Sequence, residues 1–595
     1  MEIYFQLVRD AEGLRSACEE LGNARFLGFD VETTDLDPYK GDLRLVQLSD
    51  GANTKVIDLK AFGGGGSLAA DPALDPLREL LASAKQTKIA HNAKFDTKWV
   101  RHHLGTEVGG IYDTYLASIL ISAGEGERRH GLADVVQYFL GRTLDKSEQV
   151  SDWGADELSQ SQVEYAAKDA AIMPEVREKL EERITADGLT EVLRLENECV
   201  MPIAEMELNG FYLDRERWQE QLDKVRVLQK KAGDELQDML AAGVAQASLF
   251  GRTEINLDSQ AQVTDALLNL GVPMPNTTRA WELQPLAEKY PVVAKLLEYR
   301  SVAKAAQSFG DNILEFIEPK TGRIHADFRQ IGAPTGRFSC SSPNLQQIPH
   351  EAEYRRCFRA PDGRKLVIAD YSQIELRIVA GISGDPNMCQ AFKDGTDIHT
   401  ATAARVYNVP VEEVTKEMRY KAKSVNFGII YGQGAFGLAD NLGISRTEAK
   451  EIIDNYKKEF PGIQQYMDNT INFAREQGYV ETLMGRKRWL RDINSSNFTV
   501  RGFAERNAIN SPIQGTAADM IKLAMQKVHA AMKKAKMKSR MILQVHDELV
   551  FDALKTEVHE LKPLILENME SALLLPNEVP VIAECGEGKN WLEAH

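Results

Sequence analysis

Short apolar runs alternate with amphipathic stretches over the first 190 residues. YFQLV, RFLGFDVE, LRLVQLS and KVIDL each read as strands, and the segments between them read as helices, which predicts an α/β domain. In RFLGFDVETTD, Leu27, Phe29 and Val31 point to one face, and Asp30 and Glu32 to the other, because side chains alternate along a strand. Gly63–Ser67, inside AFGGGGSLAA, is expected to be a flexible surface loop; no Gly-Lys-Ser/Thr follows, so it is no phosphate loop. From about 190 to 310, charged amphipathic runs such as DRERWQEQLDKVRVLQKKAGDELQDMLAA predict helices. From 323 onward the two patterns mix. LVIADYSQIELR sets Asp370 at the end of the apolar strand Leu366–Ala369, and MILQVHDELVFDA reads as two strands joined by a tight turn at His546 and Asp547. There is no internal repeat and no apolar run of membrane-spanning length.

Composition narrows the class. The chain has 595 residues, which suggests three to five structural units. Hydrophobic residues make up 43% and charged residues 27%, the profile of an ordinary globular protein. MEIYFQLVRDAEGL lacks an apolar secretory core and suits a first strand. The six cysteines form no CxxC pair and read as buried thiols in a reducing compartment. Lys and Arg total 71 against 88 Asp and Glu, a net charge of −17, where a simple nucleic-acid binder would be basic. Net charge describes the whole surface, however, whereas a bound duplex feels the field of its cleft. KVRVLQKK at 224–231, RYKAK at 419–423 and GRKRWLR at 485–491 are basic, and each taken singly reads as a solvated helix face.

Two sets of carboxylates carry candidate chemistry. Asp30 and Glu32 lie side by side on one strand, Asp96 lies where the apolar KIA run enters a helix, and Tyr165 and Asp169 are four apart on one helical face. Four acids on a strand and two helices can hold two hard cations through oxygen ligands, with Tyr165 placed to orient an attacking water. In the second set, a hairpin turn beside a strand end can bring Asp547 to Asp370, a pairing that suggests divalent metals for nucleotidyl transfer. Between them, in KEMRYKAKSVNFGIIYGQG, Arg419, Lys423, Phe427 and Tyr431 recur every four residues along one helix. Cations at one end and aromatics at the other match a nucleoside triphosphate. The alternative for that helix alone is an amphipathic element with a buried aromatic edge.

FDVET, HNAKFD and YAAKD match, in order and spacing, the three motifs of the DEDD 3′→5′ exonucleases of the tyrosine subgroup, and HGLADVVQYFLGRTLDKSEQVSDW resembles RNase D relatives of that family. DYSQIELR, RYKAKSVNFGIIYG and QVHDELV resemble the three motifs of the family A, polymerase I-like DNA polymerases. The likeness extends through TGRFSCSSPNLQQIP, DIHTATA, GYVETLMGRKRWL and RNAINSPIQGTAADMIK to the terminal His595, over most of 190–595. It implies an α/β RNase H-like exonuclease domain followed by an α+β right-hand polymerase domain. The expected division is 1–190 for the exonuclease and 191–595 for the polymerase, with thumb about 200–310, palm about 311–381 and 500–595, and fingers about 382–499.

The resemblance also implies roles. Asp30, Glu32, Asp96 and Asp169 would hold metal, and Tyr165 would position water. Asp370 and Asp547 would hold two Mg2+ ions, replaceable by Mn2+, with Glu548 in support. Lys423 and Arg419 would bind the triphosphate, Lys423 as proton donor to leaving pyrophosphate, with Gln373 and His399 close by. Phe427 and Tyr431 would shape the base and sugar pocket, and Phe427 in place of tyrosine implies poor use of dideoxynucleotides. Glu375 would bar a ribose 2′-OH. Arg337, Arg506, Asn510 and Gln514 would contact primer, template or minor groove, with Pro512 ending the helix of Arg506 so that Gln514 starts the next. The expected partners are primer-template DNA and dNTPs, for a monomer without a thioredoxin-type clamp or membrane contact. A bacterial or phage-encoded cytoplasmic protein is expected, with an organelle matrix as the alternative. The chain begins at the exonuclease, so no 5′ nuclease is expected. A single-subunit RNA polymerase shares the palm carboxylates, but Glu375 argues against it; intact acids oppose a non-catalytic scaffold.

Overall fold

The computed structural model describes residues 3–123, 125, 128–242, 255–274, 277–308, 310, 312–349 and 351–595. Two compact units emerge: Met1–Gly210 with Ala326–Gln346 and Asp362–Glu587, and Phe211–His325 with Gln347–Pro361 and Gly588–His595. Parts of the arm expected at 200–310, residues 243–254, 275, 276 and 309, lie outside the described residues.

The first unit opens on a six-stranded sheet made of β1 (Tyr4–Val8), β2 (Phe26–Thr33), β3 (Leu43–Ser49), β4 (Asn53–Asp58), β5 (Thr87–Ala90) and β6 (Ile111–Asp113). The spatial order is β1-β4-β3-β2-β5-β6. β2 pairs parallel to β5 and antiparallel to β3, which makes it a central strand, and Leu27, Phe29 and Val31 are buried accordingly. Helices α1 (Ala93–Leu104), α2 (Gln160–Ala186) and α3 (Thr190–Asn209) accompany the sheet. A capping box fixes the start of α2: the Ser159 side chain accepts from Gln162 N, and Gln162 answers at the Ser159 backbone. Gly28 lets α2 lie directly on β2, since a Cβ there would stand 1.9 Å from the Ala170 carbonyl oxygen.

A second sheet in the same unit is built from β7 (Arg364–Tyr371), β8 (Arg540–Val545), β9 (Glu548–Leu554) and β10 (Ala583–Gly588), in the order β8-β9-β7-β10, with β9 antiparallel to both β8 and β7. The turn between β8 and β9 falls at His546 and Asp547, with His546 in the left-handed region at φ 53°. The helices that bear on this sheet's site are α4 (Ile374–Ser383), α5 (Ile398–Tyr407), α6 (Lys416–Ile430) and the 37-residue α7 (Phe498–Lys534). In the second unit, helices Arg215–Ala241 and Pro291–Ser308 pack around Leu236, Leu240 and Leu296, and Phe211, Phe358 and Trp591 form an aromatic cluster.

Three expectations are corrected. Pro512 does not end a helix: α7 runs through it, because Ser511, Pro512 and Ile513 are all buried and packing on both flanks outweighs one missing backbone donor. Gly63–Gly65 makes a tight turn with Gly64 in the left-handed region at φ 51° rather than a free loop, tied down where Gly63 N donates to Asp71 Oδ2 at 2.8 Å. Arg486, in the third basic stretch, is no solvated cation but is 3% exposed. Among the described residues no helix is long and apolar enough to cross a membrane. Five of the six cysteines are buried, and all six are free thiols.

Candidate active sites

The first site forms where β2, α1 and α2 converge. Asp96 reaches from the first turn of α1 to accept from Val31 N at 3.1 Å, so α1 is held against β2 between Asp30 and Glu32. Asp113 braces the start of α1 by accepting from Asn92 N at 3.0 Å and Ala93 N at 2.8 Å. Burial raises the pKa of Asp30, Glu32, Asp96 and Asp169, and their mutual repulsion raises those of Asp30, Glu32 and Asp96 further. Tyr165, one turn before Asp169, hydrogen-bonds it and is itself pushed up by burial and by that carboxylate. Lys146 is a member of this site that sequence reading did not single out. Its Nζ lies 3.7 Å from Asp169 Oδ2 and 5.9 Å from the centre of the Tyr165 ring. The only signal for it was its place in the stretch HGLADVVQYFLGRTLDKSEQVSDW.

Among the described residues, no three or more His, Cys, Asp or Glu side chains close into a metal cage as they stand. The donor chemistry nevertheless fits a hard dication: oxygen ligands only, crowded and buried enough to resist ionising together, a penalty that a cation between them removes.

The second site lies at the end of β7. Asp370 stands opposite Glu548 in the β7–β9 pairing, and Tyr371 N donates to the Asp547 carbonyl at 3.3 Å. Asp370 and Asp547 are therefore neighbours despite their separation in sequence. Burial raises the pKa of Asp547, and the charges of Glu375 and Glu548 add to the rise. Asp547, Arg337 and Glu375 line a cleft of about 290 Å³.

Beside it, one face of α6 opens a cavity of about 890 Å³ lined by Arg419, Lys423, Phe427 and Tyr431. Thr415 caps this helix by accepting from Met418 N, so the exposed cations stand in its first half and the aromatics at its end. Arg419 is held by Asp397 through two contacts, 3.1 and 2.8 Å, a partner the sequence reading missed. Glu375 accepts from Arg337 and from the Tyr431 hydroxyl. Gln514 also hydrogen-bonds Tyr431, and Arg506 packs against Gly432, where a Cβ would stand 3.1 Å from its Cγ. Gln373 Oε1 and Asn510 Oδ1 are buried without a hydrogen-bond partner among the described residues. His399 sits behind this wall, and Gln373, Arg506, Asn510 and Gln514 likewise line neither the cleft nor the cavity. The His399 ring lies 6.0 Å from that of Phe427, 3% exposed, and its Nδ1 pairs with Asn426 at 3.0 Å.

A buried charge cluster supports this site from below. Arg486 pairs with Glu196 of α3 and with Asp519 of α7 at 2.7 Å, and Lys522 pairs with Glu196 at 2.6 Å. Lys522 also donates to the Gly336 carbonyl at 2.8 Å, next to Arg337. Burial opposes ionisation of Glu196, but Lys522 and Arg486 outweigh it and lower its pKa.

Comparison with known proteins agrees with this layout. The family model described as DNA polymerase family A matches residues 223–593, and that described as 3′-5′ exonuclease matches residues 5–185. DNA polymerase I of Chloroflexus aurantiacus is 36% identical over 99% of the chain, and that of Pseudomonas aeruginosa is 36% identical over 100%. The chain spans 63% and 66% of the length of those two relatives. A solved structure, the POL domain of Pol1 from M. smegmatis in complex with DNA primer-template and dNTP, superposes with TM-score 0.87 at 31% identity, covering 99% of both chains.

Proposed function

As the chain belongs to DNA polymerase family A and carries a 3′-5′ exonuclease domain, we propose that it copies a primed DNA template from dNTPs and proofreads the product. Residues 1–190 form the exonuclease and 191–595 the polymerase, with thumb, palm and fingers divided as expected above. The observation that carries this reading is the juxtaposition of Asp370 and Asp547 beside a cavity whose wall presents Lys423 and Arg419.

Asp370 and Asp547, with Glu548 alongside, would hold the divalent cations, Mg2+ by expectation, that activate the primer hydroxyl and neutralise pyrophosphate when bound. The chain's own groups do the rest. Lys423 and Arg419 bind the phosphates, and the Asp397 contact keeps the Arg419 guanidinium spread toward the cavity. Lys423, exposed on the cavity wall, donates a proton to the departing pyrophosphate. The ring of Phe427 stacks on the incoming base or sugar, and Tyr431, fixed by Glu375 and Gln514, closes the pocket behind it. Glu375 leaves no room for a 2′-OH. Gln373 approaches the triphosphate through its amide N–H, and Arg337, Arg506, Asn510 and Gln514 contact the primer, the template or the minor groove of the terminal pair, where the unpaired Asn510 Oδ1 accepts from a base. His399 acts indirectly, by bracing Phe427.

At the other site, Asp30, Glu32, Asp96 and Asp169 would hold the cations that polarise the scissile phosphate and its attacking water when bound. The Tyr165 hydroxyl orients that water. Primer extension and 3′ digestion of one labelled hairpin, with and without Mg2+, test the whole reading. Asp30→Ala with Glu32→Ala should abolish digestion of a mismatched 3′ end and leave extension intact; Asp370→Ala should do the reverse. Joint loss of both activities in either variant would contradict two separate sites.

A further inference from the structure

The end of α7 carries charge of the opposite sign to the chain as a whole. Between Asp519 and Asp547 the sequence holds no carboxylate, in a protein of net charge −17. Lys533, Lys534, Lys536, Lys538 and Arg540 are all exposed. The negative end of the helix dipole accounts for Lys533 and Lys534 in the last turn, but not for the three cations beyond it. Among the described residues, the ammonium groups of Lys534, Lys536 and Lys538 form no ion pair; the nearby Glu557 carboxylate is taken up by the backbone N–H groups of Lys538 and Ser539.

Lys533, Lys538 and Arg540 line a groove of about 470 Å³, large enough for two or three side chains, and Lys534 and Lys536 neighbour it in the chain. Met206, Met532, Met537 and Met541 line it; Met206, Met532 and Met541 are buried and Met537 is half-exposed. Methionine is unbranched and polarisable, and adapts to varied apolar side chains. The lining carboxylates, Glu107 and Glu205, are already engaged, with Lys533 and with Arg101 and His529 respectively. No Phe, Tyr or Trp stands among the lining residues, so the groove lacks the stacking platform that a single nucleic-acid strand uses. Nor is it an extension of the second site: Gln514 and Lys534 lie at points of α7 separated by roughly 30 Å at 1.5 Å per residue.

We propose that this groove docks a short acidic segment of a partner protein, its large apolar side chains seated on the methionines and its carboxylates on Lys538 and the neighbouring Lys534 and Lys536. Fluorescence anisotropy with the full chain tests it. The probe is a labelled nine-residue peptide of aspartates with two phenylalanines; the controls are the same peptide with alanines in place of phenylalanine and a labelled oligo-dT. Saturable binding of the phenylalanine peptide is expected. It should weaken about tenfold or more in Lys538→Glu, in Met537→Ser and in the alanine peptide, with primer extension unchanged in both variants. Absence of binding, equal affinity for the alanine peptide, or unaltered affinity in both variants would each overturn the proposal. So would a loss of oligo-dT binding in Lys538→Glu without loss of peptide binding, which would mark a nucleic-acid surface instead.

Discussion

The hydroxyl of Tyr431, at the end of α6, donates to the carboxylate of Glu375 in the first turn of α4, a contact that joins the cavity wall to the helix that follows the strand bearing Asp370. Arg337 donates to the other oxygen of the same carboxylate. Glu375 is thus held from both sides, and its shape is part of the pocket rather than a mobile surface charge. Glu375→Ala is expected to admit ribonucleotides, improving their use relative to dNTPs by roughly ten- to a hundredfold, about 1.4–2.7 kcal/mol of discrimination. Steady-state incorporation of rNTP against dNTP measures it, and unchanged selectivity would remove the gate role.

Gly28 offers a way to disable the first site without touching a carboxylate. An alanine there would drive its Cβ into the Ala170 carbonyl, next to Asp169, and push α2 off β2. A shift near 1 Å at reacting groups costs roughly a hundredfold in rate. Gly28→Ala should therefore lose 3′ digestion by about that factor while keeping extension near wild type. Normal digestion would show that the helix can relax without moving Asp169.

The Arg486 cluster makes a stability prediction. Glu196, Asp519 and Lys522 are 0% exposed, and each depends on a charge that burial would otherwise penalise. Arg486→Met leaves two buried carboxylates short of a partner and should destabilise the fold by about 3–5 kcal/mol. Urea unfolding measures the loss. Because Lys522 also holds the Gly336 carbonyl beside Arg337, extension should weaken in parallel.

Glu205 supplies a pH dependence away from both sites. Burial works against its ionisation, but hydrogen bonds from His529 at 2.8 Å and Arg101 at 2.6 Å prevail and lower its pKa from 4.5 to about 2. The folded value lies below the unfolded one, so the unfolded chain takes up the proton first as pH falls. The contribution is full above pH 4.5 and is lost between 4.5 and 2, amounting to up to about 3 kcal/mol. Denaturant titrations of wild type and Glu205→Gln across that window should show the shallower slope in the variant; identical slopes would dismiss this ion pair as the cause.

Much of this was legible along the chain. The alternation in RFLGFDVETTD put Asp30 and Glu32 on one strand face, and the apolar runs flanking His546 and Asp547 marked a hairpin, because strand periodicity is a local property. The four-residue spacing of Arg419, Lys423, Phe427 and Tyr431 likewise reflects nothing beyond one helix. Where local rules misled, tertiary burial was the cause: Pro512 sits inside α7, and Arg486 is sealed among carboxylates although its neighbours in sequence are basic.

The sequence alone determined the strands and the helix that carry Asp30, Asp370 and Lys423 and which side chains on them share a face, since those follow from backbone periodicity and the sign of each transfer free energy. Only the folded chain decided that Asp370 meets Asp547, that Lys146 joins Asp169, that Asp397 holds Arg419 and that His399 stands behind Phe427. Those contacts join residues far apart in the chain, and they depend on which buried charges find partners and which surfaces pack, a balance that no single segment contains.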